Sequence, residues 1–88
     1  MKHGWIITRN VKNNMTMRQF GPAETLFRPE DVANQGMPFR LLNASFETCY
    51  EGMFLGESGE RLAPLVEFIL SDNSISTIQY RQESGDWS

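Results

Sequence analysis

Apolar and polar residues alternate along several stretches of this chain and recur at helical spacing in two others, and this pattern predicts its elements. "GWIITRNV" puts Trp5, Ile7 and Val11 on one face and Ile6 and Thr8 on the other, and its β-branched residues favour a strand near residues 4–11. "KNNMTMRQFGP" interrupts it: Asn13-Asn14 reads as a turn or loop, followed by a short extended piece ending at Gly21-Pro22. "RPEDVANQG" carries helix punctuation over 29–35, with Pro29 at the first helical position, Glu30 and Asp31 in the first turn, and Gly36 placed to take the left-handed conformation after the last. "APLVEFIL" predicts a second helix over 64–70, with Leu62, Leu65, Val66 and Ile69 forming its apolar face. "ISTIQYRQ" resumes β character over 75–81, and "ESGDW" adds a final turn that brings back Trp87.

The stretch "FRLLNASFETCYEG" reads as a hairpin. Its arms span 38–43 and 46–55, and Asn43-Ala44-Ser45 forms the turn, because Asn tolerates positive φ and its side chain bonds nearby backbone. In the second arm Phe46, Thr48, Tyr50, Gly52 and Phe54 share the buried parity, which leaves Glu47, Cys49 and Glu51 on the wet face. Together the elements predict one domain over residues 1–88. Its class is α+β, a small antiparallel sheet of about four strands with two short helices.

Composition sharpens this picture. At 88 residues the chain is a small domain, expected to bury about 60–65% of its unfolded surface and to be stable by roughly 5 kcal/mol. With 40% hydrophobic and 11% aromatic residues it carries enough apolar material for a packed core. One cysteine and one histidine exclude an internal disulfide and a zinc site of the usual four ligands, so no metal or other cofactor is expected. "MKHGWIITRN" has only three consecutive large apolar residues, which predicts neither a signal peptide nor a membrane span and points to a cytoplasmic protein. The net charge is −3, with most basic residues before residue 41 and most acidic ones after it. An acidic chain without clustered Lys and Arg is not expected to bind nucleic acid.

The order of the motifs carries a resemblance. "WIITRN", then "GP", "FRLL" with a turn and "YEG", "APL" followed by Phe, "TIQYR" and a closing "GDW" resemble a group of small bacterial proteins without an established function. These open on a W-I-I-T-K strand and pass through an F-R-L hairpin with a D-D-D-G-E turn ending in Y-Y-E-G. They close with A-P-L-D-D-F and I-x-Y-R-x-x-G-x-W. This chain departs from them at Asn43-Ala44-Ser45 and at Leu65-Val66-Glu67, where the group is acidic. What the resemblance implies is the fold, without a mechanism.

Candidate chemistry is sparse. His3 has no second histidine or paired acid near it in sequence and reads as a solvated terminal residue; Cys49 reads as a half-exposed strand thiol. Glu47 and Glu51 are about 13 Å apart along an extended strand, too far for a coupled carboxylate pair. Gly52, Gly56 and Gly59 in "EGMFLGESGE" lack the Lys-Ser/Thr that follows a phosphate loop. The chain is therefore expected not to be an enzyme.

The aromatic set (Trp5, Phe39, Tyr50, Phe54, Tyr80 and Trp87) exceeds what so small a sheet easily hides, and exposed aromatics anchor interfaces. The expected function is a protein-interaction module, an accessory or inhibitor from a bacterium or mobile element. Its expected surface is Trp5, Glu47, Glu51, Tyr80 and Trp87, and edge pairing into a homodimer is a further expectation. The alternative is a small-molecule binding domain with a pocket between the sheet and helix 64–70.

Overall fold

A computed structural model describes residues 2–88. The chain runs β1 (Gly4–Asn10), β2 (Met15–Gly21), α1 (Pro29–Gln35), β3 (Met37–Asn43), β4 (Thr48–Leu55), a single 3₁₀ turn (Ser58–Glu60), α2 (Ala63–Phe68) and β5 (Ile75–Tyr80). The strands form one antiparallel sheet in the order β2-β1-β4-β3-β5. This is the expected α+β class with one strand more than the expected four. The additional strand is β2, read from sequence as loop and a short extended piece. "MTMRQFG" is an edge strand in which only Gly21 is buried, and with neither face fully covered it shows no sharp alternation of apolar and polar residues.

Cross-strand partners define the two faces. Trp5, Phe54 and Met37 lie in one row, and Ile7, Gly52, Phe39 and Tyr80 in the next, on the side covered by α2. Phe68 of α2 fills the space above them, packing edge-on against Trp5 (5.9 Å between centroids) and Tyr50 (4.8 Å). The opposite side carries Ile6, whose neighbour Gly4 lies beside Val32 of α1, and, in a separate row, Arg9, Glu51, Arg40 and Gln79. The C-terminal segment turns back on β5: Tyr80 and Ser88 exchange backbone bonds of 3.1 and 3.0 Å, and Trp87 returns to lie 4.6 Å from the Arg40 guanidinium. Among the described residues no helix is long and apolar enough to cross a membrane.

Three local expectations are corrected. Gly36 follows α1 in an extended conformation (φ −75°), not the left-handed one; a Cβ there would lie 2.4 Å from the Val32 carbonyl oxygen, so close approach is what requires glycine. α2 is rotated from the expected face: Pro64 and Phe68 are buried, and Leu62, Val66 and Leu70 point outward. Cys49 is buried because the β3–β4 register slips there. Leu41 is opposite Tyr50 and Leu42 is opposite Thr48, so Cys49 is the unpaired residue of a bulge and joins the core.

Candidate functional site

The tip of the β3–β4 hairpin is a tight loop organised by one carboxamide. Asn43 and Phe46 close it through Asn43 N–H to Glu47 O and Phe46 N–H to Asn43 O, both 3.0 Å. Asn43 Oδ1 accepts from the backbone N–H of Ser45 at 2.9 Å and of Glu47 at 3.0 Å. Loops of this kind end on a left-handed residue, for which hairpins select glycine. Here that residue is Phe46, with φ 61° and 70% of its surface exposed. Asn14, also at positive φ (52°), is of a type that tolerates it; a bulky aromatic is not. The expected inward parity of Phe46 fails because the loop extends to Glu47, so strand alternation does not begin until Thr48.

Next to the tip, sharing Asn43 with it, a cleft of about 290 Å³ opens at the end of the sheet. Asn10, Lys12 and Asn13 line it from the end of β1 and the following turn, Cys49 and Tyr50 from β4, and Asp72 and Ser74 from the loop before β5. The expected pocket between sheet and α2 is filled by Phe68, and the opening lies beyond it. Tyr50 donates to Asp72 Oδ2 at 2.6 Å, while Asp72 Oδ1 accepts from Ser74 Oγ at 2.6 Å and Ser74 N–H at 3.0 Å. The Ser74 and Tyr50 hydroxyls hold the Asp72 carboxyl below its ordinary range. Lys12 donates to Glu47 at 3.1 Å, and Asn43 and then Lys12 lower the Glu47 carboxyl.

Burial, reinforced by the Asp72 carboxylate, pushes the Tyr50 phenol up to about 12, and burial raises that of Tyr80 further. Both folded values exceed the ordinary 10.0, so the stability they contribute is complete below pH 10 and is lost as pH rises through the folded values. An ultraviolet titration of the phenolate band is expected to show almost no ionised tyrosine at pH 10 in the native protein. Half-ionisation of either tyrosine at that pH would contradict the burial described above.

A second polar cluster lies under the 3₁₀ turn. His3 is only 3% exposed; its Nδ1 faces Glu60 Oε2, and its Nε2 lies 3.2 and 3.1 Å from the two oxygens of Glu67. Trp5 Nε1–H donates to the same Glu67 at 2.7 Å. His3 is thus a buried pairing residue, not the solvated terminal residue expected from sequence. The partners are 57 and 64 positions away, so no local pattern announces them. Among the described residues no group of three or more His, Cys, Asp or Glu side chains is placed to hold a metal ion.

The five residues expected at an interaction surface separate. Trp5 and Tyr80 are 4% and 5% exposed and belong to the core. Trp5 is capped by Phe68 and bonded to Glu67, and Tyr80 lies against Phe39 and Phe54 with its hydroxyl donating to Arg61 O at 2.7 Å. Both leave the expected surface, because their rings lie on the side of the sheet that α2 covers and pack into the core there. Glu51 and Trp87 are half-buried and meet Arg40 on the opposite face, Glu51 as its cross-strand partner and Trp87 over its guanidinium. Glu47 is exposed at the hairpin tip. Phe46, Leu62 and Val66 are exposed, although strand parity and helix spacing predict buried faces for them, and Leu70 is exposed in the same row. No family model, curated protein or solved structure matches this chain, so a functional reading rests on the geometry of its own residues.

Proposed function

We propose that the chain is a non-enzymatic protein-interaction module that docks through the tip of its β3–β4 hairpin, with Phe46 as anchor. The observation that carries this reading is an exposed aromatic held in a left-handed conformation. That conformation costs a side-chain-bearing residue roughly 1–2 kcal/mol, and solvent exposure returns none of it. Strain retained at an exposed tip is accounted for if the ring is used when a partner covers it, since rigid, amphipathic or apolar rings anchor interfaces with little loss of side-chain entropy. Glu47 and Lys12 form a polar rim beside it. The two groups best suited to acid–base or nucleophilic chemistry are committed elsewhere, His3 to two carboxylates and Cys49 to the core.

The test separates stability from binding. Phe46→Gly is expected to raise the melting temperature by a few degrees, corresponding to about 0.5–1 kcal/mol of relieved strain, and to abolish partner capture from lysate of the source organism. Trp87→Ala serves as a control on the other face. A partner held equally well by wild type and Phe46→Gly would sink the hairpin-tip reading.

A further inference from the structure

The cleft beside the hairpin carries opposite charges on separate walls and unused hydrogen-bonding capacity on both. On the wall formed by the end of β1 and its turn, Asn10 Oδ1 accepts from Asn13 N–H at 3.1 Å, which leaves the Asn10 Nδ2 donors and the Asn13 carboxamide uncommitted among the described residues. Lys12 spends one of its three donors on Glu47. On the wall formed by the loop before β5, the Asp72 carboxylate accepts three bonds of about four that it can take, and its lowered pKa keeps it ionised at neutral pH. At about 290 Å³ the space is at the lower end of small-molecule sites, which run to about 1,000 Å³.

We propose that this cleft binds a small zwitterion with the headgroup of a free α-amino acid, its carboxylate received by Lys12 and the Asn10 and Asn13 amides and its ammonium by Asp72. A lone anion would satisfy the first wall and meet repulsion from Asp72; a lone cation would satisfy Asp72 and leave the donors of the first wall unused. A molecule carrying both charges a few bonds apart uses both walls. The half-buried Tyr50 and the buried Cys49 line the cleft between these walls. The inference goes beyond docking at the hairpin tip and does not depend on Phe46.

The experiment is an NMR titration of the isotopically labelled chain with each of the common protein amino acids at millimolar concentration, with acetate and methylammonium as the separated charges. At least one amino acid is expected to shift the amides of Asn10, Asn13, Asn43 and Ser74 saturably, and neither separated ion to match it. Lys12→Met and Asp72→Asn are each expected to weaken binding at least about tenfold, the loss of one charge-assisted contact. Lys12 is half exposed, so its variant should keep the native spectrum. Phe46→Gly should bind normally, which lets the two readings fail separately. The proposal is overturned if no amino acid shifts these amides, if acetate or methylammonium alone binds as tightly, or if both charge variants bind like wild type.

Discussion

His3→Ala is expected to destabilise this domain by about 2–3 kcal/mol and to lower its melting temperature by roughly 10–20 °C. The imidazole lies between Glu60 and Glu67 and, when doubly protonated, donates to both. Truncation removes both contacts at once and leaves two carboxylates facing a void beside Phe54, the ring that His3 stacks against at 6.3 Å. A fully enclosed pair would lose about 3–5 kcal/mol on removal of one partner. Here the Glu60 and Glu67 side chains are 32% and 25% exposed, so water tempers the loss. The cluster also ties the 3₁₀ turn and α2 to β1, and Glu67 holds the Trp5 indole in the same grip. Thermal melts of His3→Ala, Glu67→Gln and the double variant check the argument. The double variant should be less damaged than the sum of the singles, because removing the Glu67 charge relieves what the loss of His3 exposes. A His3→Ala melt within about 0.5 kcal/mol of wild type would show that the cluster is incidental.

Gly52→Ala should be at least as severe, with an expected loss of about 3 kcal/mol or more, at or above the top of the usual range for overpacking. A Cβ at position 52 would sit 2.2 Å from the Ile6 carbonyl oxygen and 2.8 Å from Phe39 Cζ. The first obstacle is backbone in the β1–β4 ladder at the middle of the sheet, which cannot retreat without breaking its own pairing. The second is a fully buried ring. For a domain stable by only about 5 kcal/mol, such a loss removes most of the margin. Denaturant unfolding measures it directly, and a variant that unfolds at nearly the wild-type midpoint would mean that β1 and β4 are not held as closely as described.

Gly52 also shows how sequence and structure divide the account. As one of three glycines in "EGMFLGESGE" it invites comparison with a phosphate loop, which the missing Lys-Ser/Thr argues against. Its actual role, making room for Phe39 and for the backbone of β1, involves partners that no local window contains. Cys49 and Phe46 fail for a related reason. Strand parity is an alternation, so a single bulged residue or a loop one residue longer inverts every assignment on one side of it. The expected face of α2 is half right: Leu65 and Ile69 pack against the core, whereas Leu62 and Val66 point outward, because hydropathy marks an apolar row without saying how much of it a sheet covers.

Local patterns alone determined the α+β class, four of the five strands, the hairpin at Asn43 and both helices to within about two residues. They could do so because alternation, proline at a helix start and Asn in a turn act between residues a few positions apart. The tertiary structure alone decided that β2 joins the sheet, that Trp5 and Tyr80 are interior, that His3 lies between Glu60 and Glu67, and that Lys12 and Asp72 line one cleft. Each of these depends on which strands become neighbours and how α2 is turned on the sheet. Those are set by the packing of the whole core at once, and no short stretch of the chain holds the information.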